Sequence, residues 1–481
     1  MQTLYFYDLE TSGINPRSSR IMQFAGQRTD LDLVPIGDPD NIIIKLSEDI
    51  LPDPDAIMIT GISPQQTLAD GITESEFLDY FHKKIALKGT IFAGFNTIRF
   101  DDEFIRFTNY RNFYDAYEWQ WQDQRSKWDI LDVVRMTRAL RPDGINWPFT
   151  PDGKASNRLE LLTSVNRLDH FNAHDALSDV NATIAVARLI KQKQPKLFDY
   201  LLSMRDKNAI AKLVNSSEPF IYTSGRYSAE FEKTTVVISI ASHPVQKGSV
   251  FVYDLRYDPA PFADMSPEQL AELMAKYKFE EGDLRLPVKQ LQFNKCPAVA
   301  PMNVLDMASK NRLKIDTEIV NNNLQKLAKI EDFGDRIQEA VRINEKQRQQ
   351  SIVSDINIVD NQLYDGFFND YDKEKMRLVR ESKQDQLADL SLDFADSRLG
   401  NLLLLYKARQ FPSSLNIDEQ SEWQTYKKQK ILDGDQESPL VKYFSRIDQL
   451  SKQSGLTKNQ QYLLEELKLY GQSIVPYDSE S

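Results

Sequence analysis

Apolar and aromatic side chains first crowd together in Leu4-Tyr5-Phe6-Tyr7-Asp8, which reads as a buried strand. The signal returns at Gln23 to Thr29 and at Ile42 to Leu46, with the turn-rich segments Ser12 to Arg20 and Val34 to Asn41 between. Three early strands on short connections predict an antiparallel meander. Beyond them the period lengthens: Glu74 to Ile85 predicts a helix, Thr90 to Ala93 a short buried strand and Asp102 to Asn112 a second helix. The first third of the chain therefore reads as α/β. Apolar positions at Ala176, Leu177, Val180, Ile184 and Ala187 predict one more helix, which closes near the basic stretch before Pro195.

From Ile221 to Pro301 the runs Thr234 to Ile240 and Ser249 to Leu255 are β-branched or aromatic between Gly, Pro and Ser, and only Pro267 to Tyr277 looks helical. A small β-rich domain is expected there. The polar stretch Asn344 to Asp360 marks a second boundary, after which Asn401 to Gln410, Asp418 to Gln429 and Asn459 to Tyr470 predict helices of an α-rich domain.

Length and composition agree with several packed domains: 481 residues, 41% of them hydrophobic. No apolar run reaches eighteen residues, and Met1-Gln2-Thr3 enters a strand directly, so a cytoplasmic protein without a membrane span is expected. The single cysteine, Cys296, excludes an intramolecular disulfide and a Cys-rich zinc site. A net charge of −12 opposes bulk attraction to nucleic acid. One stretch runs the other way: Lys191, Lys193, Lys196, Arg205, Lys207 and Lys212 face only Asp199 and Asp206, a pattern that also suits a solvated helix face.

The candidate chemistry sits in acidic residues. Asp8 and Glu10, two apart at the end of the first strand, share one of its faces. Carboxylates so placed are unfavourable without a neutralising cation, which predicts a hard, oxygen-preferring ion such as Mg2+ or Mn2+. Asp101 and Asp102 follow the short strand where a helix begins, and capping by one of them is the simple alternative. His174 and Asp179 are five apart, about 140° around a continuous helix, which puts the histidine on a loop or first turn and Asp179 one turn in. Taken singly, each residue has an ordinary structural use. As an ordered set they resemble the DEDD exonuclease superfamily in its histidine-containing subclass.

The resemblance is closer still to bacterial exonuclease I. Phe6-Tyr7-Asp8-Leu9-Glu10-Thr11, Ile59-Thr60-Gly61-Ile62, Asn96 to Glu103, Tyr110 to Asp115, Arg141 to Pro148, Arg158-Leu159-Glu160, Asn172 to Ala176, Asn294-Lys295-Cys296-Pro297 and Gln362 to Phe368 carry it, and it weakens from Ala298 to Asp355. It implies an α/β fold class: an RNase H-like exonuclease domain (1–190) with a mixed sheet and flanking helices, an SH3-like β-barrel domain (195–348) and an α-helical C-terminal domain (351–475). The implied activity is 3′ to 5′ degradation of single-stranded DNA to 5′-mononucleotides, in DNA repair and recombination. Asp8, Glu10 and Asp179 are then ligands of two Mg2+ ions, with Asp101 in support through water and His174 as general base. The choice of Asp101 over Asp102 rests on the family motif, where the aspartate directly after Phe is the site residue. Two ions about 4 Å apart can stabilise the attacking and leaving oxygens together, and the ordinary pKa of a histidine suits a base at neutral pH.

Between Tyr110 and Trp128 the rings of Tyr110, Phe113, Tyr114, Tyr117, Trp119, Trp121 and Trp128 are interleaved with Arg111, Arg125 and Lys127. Such density offers either stacking platforms for unpaired bases or a packed aromatic core. If helical, Tyr117 and Trp121 share a face. The resemblance implies DNA contacts at Tyr117, Trp121, Arg106, Arg135, Arg158 and Lys207, with Glu10 also on the substrate and Leu9 wedged against terminal bases. It also implies a partner, single-stranded DNA-binding protein, whose acidic tail docks on Arg141 and Tyr200. Pro301 and Asp306 stand where that pocket expects polar or basic residues. A groove formed within one chain implies a monomer. Two rivals remain: an RNA-directed enzyme like the much shorter oligoribonucleases, and a non-catalytic single-strand binder, which would be expected to lack one of the five site residues.

Overall fold

The computed structural model describes residues 2–169, 175–276, 278, 280, 282–351 and 359–475. Its first sheet has five strands in the order β3-β2-β1-β4-β5: β1 Thr3–Thr11, β2 Ile21–Thr29, β3 Asp40–Ile43, β4 Thr90–Gly94 and β5 Ser126–Asp129. The pairs β1–β2 and β2–β3 are antiparallel, which realises the expected meander, and β1–β4 and β4–β5 are parallel. β1 is thus the middle strand, covered on both faces. Its odd positions Tyr5, Tyr7 and Leu9 enter an aromatic cluster with Phe24, Phe77 and Trp119, and its even positions Leu4 and Phe6 pack with Val180 and Ile184 of the Ala176–Lys193 helix. Strand alternation carries Asp8 and Glu10 to the face that this helix covers.

The second sheet is wholly antiparallel in the order β10-β6-β7-β8-β9, built from β6 Phe220–Thr223, β7 Thr234–Ser242, β8 Ser249–Asp254, β9 Val288–Gln292 and β10 Ala298–Pro301. The expected helix there is Pro267–Ala275. The expected C-terminal helices run over Ser397–Gln410, Ile417–Leu432 and Lys458–Ser473.

Several elements differ from expectation for physical reasons. The third strand is shorter and earlier than Ile42 to Leu46; beyond Ile43, Ile44 still donates to the Met22 carbonyl at 2.8 Å but also bridges Ile72, and the ladder with β2 ends there. The α-helix expected to Ile85 stops at Tyr80 and widens into a π-helical turn over Phe81–Ile85, with Phe81 in the aromatic core. β5 went unforeseen because four residues, Ser-Lys-Trp-Asp, carry no apolar run. Helices Asp370–Glu381 and Pro439–Ser451 were also not foreseen.

The C-terminal helices fold back on the first domain. Met376, Leu399 and Leu402 pack with Phe107, Tyr110 and Phe113, while Ile447 and Leu463 pack with Met22, Ile57 and Ile62. Between these apolar contacts lies a buried ionic cluster: Arg409 bonds Asp49 and Asp360 at 2.7 Å each, Arg20 bonds Asp360 at 2.9 Å and Lys430 bonds Asp49 at 2.6 Å. The neighbouring cations, Arg409 first, hold the Asp49 and Asp360 carboxyls below the usual carboxylate range against the opposing effect of burial. Their stabilisation is present above the free aspartate pKa of about 3.9 and is lost as pH falls through and below it. Arg409→Ala leaves two buried carboxylates without their main partner and is expected to destabilise by about 3 to 5 kcal/mol. Urea denaturation checks this, and a loss below about 1 kcal/mol, the range of an exposed pair, contradicts it.

Candidate active site

Asp8 and Glu10 reach the site from β1, and Asp179 from the first turn of the Ala176–Lys193 helix, whose N-cap is Asp175 with its side chain accepting from the Ser178 amide. One carboxylate oxygen from each of Asp8, Glu10 and Asp179 falls within a group no more than 4.8 Å across. Glu10 is buried and the other two are half-buried. Burial, then Asp179 and Asp175, pushes the Asp8 carboxyl well above its usual range, and burial, then Asp8, raises Glu10 to about 9. Hard anionic oxygens held together against their own repulsion fit a hard divalent cation.

Asp101 and Asp102 are separated by geometry. Both sit in the first turn of the Asp101–Arg111 helix, whose N-cap position is Phe100, so neither serves as the cap. Asp102 turns to the aromatic core, where the Tyr7 hydroxyl donates to it at 2.6 Å and the Lys127 ammonium at 3.0 Å. Asp101 is buried within electrostatic reach of Asp8, and burial followed by Asp8 raises its carboxyl well above the ordinary value. The turn before it is fixed by Asn96, left-handed at φ 71°, whose amide donates to Asp129 at 2.9 Å. His174 lies outside the described residues.

The acidic group opens on a cleft of about 740 Å3 between the first domain and the second sheet. Asp8, Asp179, Arg135 and Arg158 line it, with Lys154 and Lys233, which sequence reasoning missed. Lys154 lies on a loop closed by the Phe149–Ala155 bridge and Lys233 just before β7, positions without a local motif. Arg135 is anchored by Asp132 at 2.7 Å, and Arg158 is exposed at the N-cap of the Leu159–Val165 helix.

The other expected DNA contacts are distributed differently. Arg106 is 7% exposed, held by Glu103 and by Gln120 at 2.7 Å, with its guanidinium 5.7 Å from the Tyr117 ring centre. Tyr117 and Trp121 do not share a helical face, because short 3-10 turns replace a continuous helix; Trp121 is 62% exposed and Tyr117 packs on Phe367. Tyr110, Phe113, Trp119 and Trp128 are core. The Leu9 side chain lies 5% exposed among aromatic rings on the opposite face of β1, so the structure does not bring it to the cleft. Lys207 is exposed on the first turn of the Lys207–Val214 helix, outside the cleft lining. Tyr200 donates to the Val299 carbonyl at 3.1 Å, and Arg141 bonds the Val304 carbonyl at 2.8 Å and pairs with Asp306 at 3.5 Å.

Three family models divide the chain: Exonuclease over residues 5–187, Exonuclease I SH3-like domain over 205–342 and Exonuclease I C-terminal domain over 357–474. Exodeoxyribonuclease I of Escherichia coli is 38% identical over 478 residues, 98% of each chain. The chain belongs to the exonuclease I family. Solved family structures match 99% of this chain and all of theirs: E. coli exonuclease I with a dA16 oligonucleotide (38% identity, TM-score 0.91), its zinc-bound complex with single-stranded DNA (38%, 0.89) and an SSB/exonuclease I structure with an inhibitor (37%, 0.89). The α/β exonuclease domain, SH3-like domain and helical C-terminal domain expected from the family resemblance are therefore all present.

The raised Glu10 carboxyl predicts that cation affinity at this group depends on pH. The folded chain keeps a proton there up to about pH 9, whereas the unfolded chain loses it near its free value of about 4.3. Without metal, this group's contribution to stability falls as pH rises between those values. Cation binding must expel the proton, so Mg2+ affinity measured by calorimetry is expected to climb from about pH 6 to about pH 9, with proton release on binding. A flat profile contradicts the raised carboxyl.

Proposed function

We propose that this protein hydrolyses single-stranded DNA from its 3′ end and releases 5′-mononucleotides. The observation that carries the reading is the convergence of Asp8, Glu10 and Asp179 at the edge of a cleft whose other walls hold Arg135, Arg158, Lys154 and Lys233. Family relatives bear the name exodeoxyribonuclease I, and solved ones hold oligonucleotides.

Asp8, Glu10 and Asp179, with Asp101 in support, would hold divalent ions such as Mg2+ or Mn2+, which would supply stabilisation of the negative charge that develops in phosphodiester hydrolysis. The cationic side chains orient the backbone phosphates, Arg135 through its anchor on Asp132 and Arg158 from a helix N-terminus. Burial and the Arg135 charge lower the Lys233 ammonium, so an anionic backbone beside both relieves their repulsion. His174 accepts the proton of the attacking water, a role that rests on its place in the ordered set. Glu10 also faces the terminal nucleotide. Exposed Trp121, with Tyr117, offers stacking further along the strand, where Arg106 and Lys207 add charge.

Arg141 and Tyr200 receive the acidic tail of single-stranded DNA-binding protein. The internal pair of Arg141 with Asp306 is about half-exposed on the Asp306 side, of the kind that contributes about 0 to 1 kcal/mol, so an incoming carboxylate can replace it. A complete groove within one chain favours a monomer. Bacterial DNA lies in the cytoplasm, which is where a repair and recombination role places the activity.

Mg2+-dependent digestion of oligonucleotides labelled at either end is the test. Early release of the 3′ label from DNA, with RNA spared, is expected; early release of the 5′ label or equal digestion of RNA sinks the assignment. Asp8→Ala is expected to lose at least about a hundredfold in rate, and His174→Ala about as much with DNA affinity retained, since general-base removal typically lowers rate by about 10² to 10⁴. Parental rates in Asp8→Ala contradict the metal site, and equal losses of rate and affinity in His174→Ala contradict the base.

A further inference from the structure

The Asp101–Arg111 helix begins at a buried carboxylate without any capping side chain, and burial, then the Asp8 charge, opposes its ionisation. Inside the first domain Tyr7 and Lys127 hold Asp102, His82 holds Asn109 and Glu74 holds Arg111; the remaining face of this helix is held from the other end of the chain. Glu103, Phe107 and Tyr110 stand at i, i+4 and i+7 and form one face. That face meets the Val359–Asp365 turn: the Tyr364 hydroxyl donates to Glu103, the Tyr364 ring meets Phe107 edge-on at 5.8 Å, and the Tyr110 hydroxyl donates to the Val359 carbonyl at 3.0 Å. Phe368 stacks on Tyr110 at 6.1 Å, and Arg17, in the loop after the metal strand, reaches the Asn361 carbonyl at 2.8 Å. On the neighbouring side Asp102 is tied to Tyr7, the residue before Asp8.

We infer that Tyr364 is a positioning residue: by docking on Glu103 and Phe107, it adds a hold from the C-terminal domain to the helix whose first residue is Asp101. Glu103 also holds Arg106, so the contact joins the C-terminal domain to the cationic side of the groove on the helix that begins at Asp101. The inference rests on the nuclease reading and adds to it a reason why an exonuclease domain needs the C-terminal domain for chemistry as well as for holding DNA.

Tyr364→Phe keeps the ring on Phe107 and removes only the hydroxyl. Single-turnover cleavage of a 3′-labelled oligonucleotide at saturating DNA and Mg2+ is expected to slow about three- to tenfold, the scale of one lost bond to a charged acceptor. DNA affinity in EDTA and the melting temperature are expected to stay at parental values. Amide exchange at Phe104 and Ile105 is expected to quicken. Glu103→Gln, which keeps an acceptor, is expected to retain most of the rate, and Tyr364→Phe combined with Glu103→Ala to be no slower than Glu103→Ala alone. A parental single-turnover rate in Tyr364→Phe overturns the inference. So do multiplying effects in the double variant, or a loss of DNA affinity with an unchanged rate, which would make Tyr364 a DNA contact. A parent protein inactive on single-stranded DNA instead overturns the nuclease reading.

Discussion

Mutual repulsion of carboxylates on a buried strand is the constraint around which this molecule is organised. Asp8 and Glu10 project from the middle strand of a mixed sheet into a face closed by the Ala176–Lys193 helix, which adds Asp179. Left alone, such a group takes up protons or spreads apart. The fold prevents spreading by making β1 rigid on both sides: aromatic rings seal one face, aliphatic residues of the helix grip the other, and hydrogen bonds to β2 and β4 fix the register. Electrostatic strain is thereby stored in a preorganised arrangement that a divalent cation relieves.

The rest of the charge is arranged in keeping with that strain. A chain of net charge −12 gathers cations where they face the cleft or bind the domains together. Arg20, Arg409 and Lys430 are spent inside the ionic cluster at the seam with the C-terminal domain, whereas Arg135 and Arg158 line the cleft. Asp132 belongs to the second group in function although it is acidic, because it holds Arg135 and Arg99 at 2.7 Å each and so directs them.

Much of this was legible in the amino-acid order. Period-two alternation in the first strand sufficed to put Asp8 and Glu10 on one face, and the run from Ala176 sufficed to put Asp179 one turn into a helix. Asp101 and Asp102 could not be told apart from spacing, since only the three-dimensional neighbours, Asp8 for one and Tyr7 with Lys127 for the other, distinguish them. The aromatic stretch was legible as dense but not as mostly core, because burial of Tyr110 and Phe113 depends on helices almost three hundred residues later. β5 escaped because parallel pairing with β4, and not its own four residues, makes it a strand. Lys154 and Lys233 escaped for the same reason: the cleft that gives them meaning is assembled from distant segments.

Chain order has one more consequence. Arg20 and Asp360 are 340 positions apart, and Asp49 and Arg409 are 360 apart. During synthesis at about 5 to 20 residues per second, a first domain complete near residue 190 therefore waits roughly ten to forty-five seconds for Arg409, which completes its ionic seam. Throughout that interval Arg20 and Asp49 face water, and the helix bearing Asp101 lacks the aromatic turn that docks on it. A nascent chain on the ribosome thus carries the carboxylates of a nuclease before it carries their support, and translation itself delays the assembled enzyme until Arg409 and the helices around it have emerged.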